Sequence, residues 1–353
     1  MTRPVGINGY GRIGRIFHRV LLARGAEAGV AVAAVNDPGA GAETFAFLLE
    51  HDSVYGMLDQ RVEANESGFT VGGRHVATFD RAEPDAIPWS GCGVEVVVEC
   101  SGRFTARDQA AAHLRDGVHH VVISAPSSDA DLTLCMGVND AALDPARHRV
   151  ISNASCTTNC LAPMARVLDD QFGIEQGYMT TIHAYTTGQN LLDLARVGRG
   201  GKVDLRRMRA AALSIVPTTT GATRAVGQVL PQLRGRLDGI AMRVPVPDGS
   251  IVDLVARLRQ EVQGPDEVNR AFAKAAGDAS YRGVLEYTEK PLVSADIVGN
   301  PASCVFSATD TLASSHMVKV LGWYDNEWAY AARLVDLVEL VVRTGADHFG
   351  AGS

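Results

Sequence analysis

The six residues Gly9-Tyr10-Gly11-Arg12-Ile13-Gly14 restrict the fold of this chain more than any other stretch. They form a GxGxxG, which follows the β-rich run Val5–Asn8 and opens a helical segment. That context gives the motif its meaning. Glycines permit a tight turn and close backbone approach, and a helix N-terminus favours a pyrophosphate. The next β-rich run, Val30–Val35, leads into Asn36-Asp37, where an acidic residue is placed to accept from ribose hydroxyls. The competing reading is a glycine turn with no ligand. A carboxylate at Asp37 repels a 2′-phosphate, so the expected dinucleotide is NAD over NADP.

The same half of the chain continues in this pattern. The runs Val94–Glu99 and His120–Ser124 alternate with helical stretches, which argues a parallel sheet with helices on both faces. After about Gly173 the texture changes. Gly177–Tyr185, Ile240–Val246 and Ile251–Leu258 read as longer strands of an antiparallel sheet, with turn chemistry at Pro247-Asp248-Gly249. The segment Glu327–Arg343 reads as a helix with Leu334, Leu337, Val338 and Val341 on one face and a stop at Gly345.

At 353 residues the chain is long enough for about two domains, each with its own core. Its formal net charge is −7, so nucleic acid is not the expected partner. No window approaches the roughly 18 apolar residues of a membrane span. The N-terminus lacks the apolar core of a secretion signal, and a cytoplasmic, reducing setting is expected. The six cysteines, at 92, 100, 135, 156, 160 and 304, contain no paired CxxC. They read as thiols, with neither a disulfide framework nor a metal site.

Two of those thiols sit in SNASCTTNC, residues 152–160. The segment after Ser155 reads as a helix, because Leu161, Met164 and Leu168 share a face. Cys156 then lies at the helix N-terminus, with Ser155 a candidate cap. There the helix dipole and free N–H groups lower a thiol pKa from about 8.5. A buried, inert thiol is the equal alternative for Cys156, and the favoured reading for Cys160. A nucleophile needs a base. Tyr178–His183 reads as a strand with Met179, Thr181 and His183 on one face, which makes His183 a candidate beside its ordinary reading as a satisfied core histidine.

Taken together, NGYGRIGR, VNDP, SNASCTTNCLAPMA, TTIHAYTTGQ, LRRMRAAALSIVPTTTG, MRVPVPDGSIVDL and GWYDNEWAY resemble the signature blocks of the phosphorylating glyceraldehyde-3-phosphate dehydrogenase family, over residues 3 to 343. The resemblance implies an α/β plus α+β chain. A Rossmann-type NAD-binding domain spans 1–155 and is rejoined by a C-terminal helix, 322–353. A mixed or antiparallel-sheet catalytic domain spans 156–321. It also implies that Cys156 attacks an aldehyde and that His183 serves as base. Thr186 and Arg243 would bind the phosphate of a small phosphorylated aldehyde. Ser155, Thr157, Arg207, Thr220 and Gly221 would bind the attacking inorganic phosphate. Gly9, Gly11, Arg12, Ile13, Gly14, Asp37, Arg81, Ser124, Asn326 and Tyr330 would bind NAD, with Asn326 on the nicotinamide carboxamide. No metal is implied, and the assembly implied is a homotetramer.

The chain departs from the family pattern in three places. Pro38 follows Asp37 where leucine is frequent, and Ala329, Ala331 and Ala332 flank Tyr330 in place of a Gly-Tyr-Ser-Asn run. Leu194–Val203 lengthens a loop that reaches the neighbouring subunit in the family. Erythrose-4-phosphate dehydrogenase is the alternative enzyme, and a specialised, inhibitor-tolerant paralogue the alternative role. Thr218-Thr219-Thr220-Gly221 favours the first reading, since it keeps a pocket for inorganic phosphate.

Overall fold

The computed structural model describes residues 2–195 and 203–349. Most of the lengthened loop, 196–202, lies outside the described residues. The chain divides into two units, 1–155 with 331–353, and 156–330.

The first unit is built on a nine-stranded sheet. Its strands lie in the order Leu132–Thr133, Val150–Ser152, His120–Ile123, Val96–Glu99, Arg3–Asn8, Val30–Asn36, Arg74–Phe79, Gly68–Val71 and Val62–Asn65. The first seven pair in parallel and the last two antiparallel. Central strands covered on both faces need apolar residues at successive positions, and Val96, Val97 and Val98 are all buried. The helix Arg12–Arg24 buries Ile16, Phe17, Val20 and Leu21. Its spacing of apolar residues forms one stripe, as a helix laid on a sheet requires.

The second unit holds a six-stranded sheet. Its order is Val216–Thr219, Leu237–Val244, Ile174–Ala184, Ser250–Val262, Cys304–Tyr324 and Leu285–Thr288. This sheet is mixed: Ile174–Ala184 runs parallel to Leu237–Val244 and antiparallel to Ser250–Val262. Pro247-Asp248-Gly249 therefore does not close a hairpin, because Ile174–Ala184 lies between the two strands it connects. The helix Cys156–Phe172 packs on Ser250–Val262 and Cys304–Tyr324, burying Leu161, Met164 and Leu168 completely.

Two boundaries differ from the sequence reading. Residues 322–330 fall in the second unit, since Trp323 and Tyr324 are still paired with Ile251 and Ser250. The last helix, Trp328–Phe349, runs through Gly345. A single glycine costs a helix only about 1 kcal/mol, and the buried face of Leu334, Leu337, Val338 and Val341 outweighs it.

The glycine turn has little freedom. Gly9 has φ +93°, and a Cβ there would come within 2.2 Å of Ser101 N. Both the positive φ and the overlap with backbone oppose any side chain. Gly9→Ala is expected to cost about 2 kcal/mol or more and to lower the urea midpoint. An unchanged midpoint would contradict this account of the turn.

Candidate active site

In the first unit, the turn and Asp37 are joined directly. Tyr10 N donates to Asp37 Oδ2 at 2.8 Å, and Gly9 N donates to Asn36 O at 2.7 Å. Asp37 is half-buried, and burial raises its carboxyl above the ordinary value. The three glycines fit a dinucleotide in distinct ways. Gly9 makes the turn, a Cβ at Gly14 would meet Gly9 O at 2.3 Å, and a Cβ at Gly11 would meet nothing within 4 Å. The backbone at Gly11 is thus open to close approach by a phosphate at the helix N-terminus. Ile13 is half-buried in the first turn of that helix. Arg12 donates to Asp52 at 2.5 Å, so its guanidinium is partly engaged within the protein. Arg81 is exposed, with Asp80 3.8 Å away, and its backbone exchanges hydrogen bonds with the Asn36 side chain. Ser124 N donates to Glu99 O at 2.9 Å. Ser155 is half-buried and precedes the helix that begins at Cys156.

Beneath the turn lies a buried polar network that pattern reading does not detect. Glu99, fully buried, accepts from Asn8 Nδ2 at 2.5 Å, from Ser101 N at 2.8 Å and from His113 Nε2 at 3.2 Å. Trp89 Nε1 donates to His113 Nδ1, which leaves the imidazole proton on Nε2, facing the carboxylate. The network ties together the ends of two neighbouring strands, Arg3–Asn8 and Val96–Glu99.

In the second unit, Cys156 and His183 come together. Cys156 Sγ lies 3.4 Å from His183 Nε2. Strand register brings in a third group: His183 pairs with Arg243 across the two parallel strands, and Arg243 Nη1 lies 2.6 Å from His183 Nδ1. Arg243 Nη1 also donates to Ala184 O at 3.0 Å. The Nε of Arg243 is buried and has no partner among the described residues. A buried guanidinium with a free donor is a cation poised for an anion.

The imidazole has two competing arrangements. Its Nδ1 lies 2.7 Å from Ala184 O, an acceptor, and 2.6 Å from Arg243 Nη1, a donor. Facing the guanidinium, Nδ1 must carry a lone pair, which puts the proton on Nε2. Facing the carbonyl, Nδ1 carries the proton and Nε2 is left free to accept one from Cys156. Burial, with Arg243 and then Arg207 nearby, holds His183 down at about 3.

Burial likewise pushes the Cys156 thiol above its ordinary value, while Arg243 and hydrogen bonds from Thr157 pull it down. The sequence expectation of a lowered pKa is thus reversed in the free site: Cys156 is half-buried, and that burial outweighs the influences that would lower it. Cys160 is fully buried, with its Sγ 4.0 Å from Met164 Sδ and 3.5 Å from Gly322 O.

The remaining residues divide. A Cβ at Gly188 would lie 3.7 Å from Thr186 Oγ1 and 4.0 Å from Arg207 Nη1, so these two groups converge over one glycine. Arg207 Nε donates to Thr218 Oγ1 at 3.0 Å and lies 3.4 Å from Asp204. Thr157 Oγ1 is 2.9 Å from the Tyr324 hydroxyl, which is 2.8 Å from Thr181 Oγ1. Thr220 accepts from Ala222 N at 3.2 Å, and Gly221 is exposed at the start of Ala222–Val229. Neither is bonded to Cys156, His183 or Arg243 among the described residues. Asn326 and Tyr330 are both 4% exposed. Tyr324, Ser250 and Asp248 support the site and were missed, since only their place in the second sheet reveals them.

A glycine turn between a parallel strand and a helix and an acid at the next strand end define a nicotinamide-dependent dehydrogenase, with a thiol–imidazole pair in the second unit as its candidate nucleophile and base. Comparison with known proteins agrees. Residues 3–107 match the family model described as glyceraldehyde 3-phosphate dehydrogenase, NAD binding domain, and residues 155–326 match its C-terminal domain. The chain belongs to the glyceraldehyde 3-phosphate dehydrogenase family. It is 53% identical over 342 residues to the glyceraldehyde-3-phosphate dehydrogenase of Streptomyces coelicolor, covering 97% of this chain and 99% of that one. It is 49% identical over 346 residues to the enzyme of that name from Geobacillus stearothermophilus, covering 98% of this chain and 100% of that one.

The geometry separates the two thiols of the helix. Iodoacetamide at neutral pH should label Cys156 first, with Cys160 protected until unfolding. His183→Asn should slow that labelling about tenfold or more, because the thiol loses its proton acceptor. Peptide mass spectrometry that found Cys160 labelled first, or an unchanged rate in His183→Asn, would refute the pairing.

Proposed function

We propose that the chain oxidises glyceraldehyde 3-phosphate to 1,3-bisphosphoglycerate, using NAD and inorganic phosphate, through a thioester on Cys156. The observation that carries this reading is the Cys156–His183 contact of 3.4 Å with the partly unpartnered Arg243 guanidinium against the same imidazole. A thiol and base alone would serve many reactions. A buried arginine next to them selects an anionic aldehyde.

The substrate phosphate draws on Arg243 and Thr186. As the Arg243 donors turn to that phosphate, His183 Nδ1 is released to donate to Ala184 O, and Nε2 becomes the acceptor that Cys156 needs. The thiol proton passes to Nε2, and Sγ adds to the aldehyde carbon to give a hemithioacetal. Cys156 N–H and the protonated His183 hold the oxyanion while it lasts. The protonated His183 gives its proton to that oxygen, which completes the hemithioacetal, and the neutral imidazole then takes the hydroxyl proton back as the hydride leaves. NAD, when bound, supplies the acceptor for the hydride that leaves the same carbon, which makes it a thioester. Ser155, Thr157, Arg207, Thr220 and Gly221 hold inorganic phosphate, whose oxygen attacks the thioester carbonyl. The C–S bond breaks, the acyl phosphate leaves and the Cys156 thiolate is regenerated.

Gly9, Gly11 and Gly14, with Arg12 and Ile13, hold the pyrophosphate end of NAD. Asp37 accepts from the adenine ribose, and Arg81 and Ser124 flank the adenosine half. Asn326 binds the nicotinamide carboxamide and Tyr330 packs against the ring. The setting is cytoplasmic and the assembly a homotetramer. What supports that assembly is that the large apolar side chains Leu191, Leu192, Leu205, Leu213 and Ile215 are exposed.

Purified protein should reduce NAD with glyceraldehyde 3-phosphate only when inorganic phosphate is present beyond the first turnover. Erythrose 4-phosphate should give a lower kcat/KM. Sustained turnover without phosphate, or a preference for erythrose 4-phosphate, would overturn the assignment.

A further inference from the structure

One nearly buried amide in the second unit is oriented from an unexpected direction. Asn326 is 4% exposed, and its Oδ1 lies 2.6 Å from Ser250 Oγ. Ser250 is 1% exposed, and its Oγ lies 3.0 Å from Ala184 N. Ala184 is the last residue of its strand and directly follows His183. The antiparallel register between the two strands ends at Ile182↔Ile251, so Ala184 N has no main-chain partner on that side. The serine oxygen takes its place.

The hydrogen positions follow from the donor inventory. A backbone N–H only donates, so Ser250 Oγ accepts from Ala184. The serine then has one proton left to give. At 2.6 Å from Asn326 the spacing suits an O–H···O bond, shorter than N–H···O bonds run. The amide oxygen therefore faces Ser250, and the NH2 group faces the other way. The Nδ2 atom makes no hydrogen bond among the described residues, yet it belongs to a side chain that is nearly buried. It is a two-proton donor held ready for a carbonyl oxygen.

The backbone beneath is held as firmly. Asn326 N donates to Asp248 Oδ1 at 3.2 Å, and Gly249 N donates to the same atom at 2.8 Å. On the other side Asp325 Oδ1 accepts from Glu327 N at 2.8 Å and Trp328 N at 2.6 Å. Gly249, just before the serine, has φ +83°, and a Cβ there would fall 2.2 Å from Ser294 O. Ser250 thus leaves a turn that cannot relax, and its hydroxyl has a fixed origin.

We propose that Ser250 is a positioning residue that sets the flip of the Asn326 carboxamide, so that NH2 rather than C=O is offered to the carboxamide oxygen of the nicotinamide. The proposal rests on the reading of Asn326 as the nicotinamide anchor. It also gives the base strand a second duty: the main chain next to His183 orients the amide that orients the ring. Removing the hydroxyl leaves Ala184 N–H unpaired and lets the amide turn over. Each turned amide presents oxygen to oxygen, a repulsive contact in place of a hydrogen bond.

The test is a double-mutant cycle on the full-length protein, read as the NAD dissociation constant by calorimetry. Ser250→Ala should weaken NAD about fivefold, the scale of one hydrogen bond. The same substitution made in Asn326→Ala should change affinity by less than about twofold, since Ser250 acts only through the amide. Ser250→Thr, which keeps the hydroxyl, should bind NAD as the wild type does. It also keeps the test informative if the alanine variant folds poorly. Hydride transfer from stereospecifically deuterated NADH should lose facial fidelity in Ser250→Ala and keep it in Ser250→Thr. If Ser250→Ala weakens NAD equally with and without Asn326, the serine is merely structural and the proposal fails. If Asn326→Ala alone weakens NAD and Ser250→Ala does nothing, the anchor reading stands and the proposal fails. If Asn326→Ala leaves NAD binding unchanged, the anchor reading itself falls and takes the proposal with it.

Discussion

The 3.4 Å contact between Cys156 Sγ and His183 Nε2 depends on three elements arriving at one place. The helix Cys156–Phe172 brings the thiol in at its first residue. The strand Ile174–Ala184 delivers the imidazole one residue before it ends. The parallel register of Leu237–Val244 puts Arg243 directly across from that imidazole. A slip of one residue in this pairing would turn Arg243 to the other face of the sheet. The apolar packing of Leu161, Met164 and Leu168 and the register of the second sheet are therefore conditions of this contact, because they fix where Sγ and Nε2 lie.

Arg243 acts on the pair in opposite senses. Its positive charge favours a thiolate at Cys156 and disfavours an imidazolium at His183. A site that kept this cation tightly on the imidazole would oppose proton transfer from sulfur to nitrogen. One whose cation is drawn to a bound anion removes that opposition when the substrate arrives. In the proposed reaction, binding of the substrate phosphate therefore also raises the basicity available to the thiol.

Much of this was legible in the sequence, for identifiable reasons. GxGxxG after a strand has few structural solutions, and it is found in the turn from Arg3–Asn8 to Arg12–Arg24 with Gly9 at φ +93°. Helical spacing located the face of Cys156–Phe172, and alternation placed Met179, Thr181 and His183 on the buried side of one strand. What spacing could not reach was long-range. The mixed character of the second sheet depends on Ile174–Ala184 inserting between Leu237–Val244 and Ser250–Val262, an order that no local pattern encodes. The support given by Tyr324 to Thr157 and Thr181, and by Ser250 to Asn326, joins residues distant in the chain. The thiol's raised pKa was missed for the same reason: a helix terminus is visible in sequence, whereas the burial that outweighs it is a property of the packed unit.

The central claim is that Cys156 carries the acyl group, and one measurement addresses it directly. Protein with NAD and glyceraldehyde 3-phosphate, in the absence of inorganic phosphate, is quenched in acid and its intact mass recorded, followed by peptide mapping. The account predicts one acyl adduct per chain, confined to the peptide containing Cys156 and discharged within a turnover when phosphate is added. An adduct on any other residue, or a Cys156 that stays unmodified while NADH is formed, would contradict it.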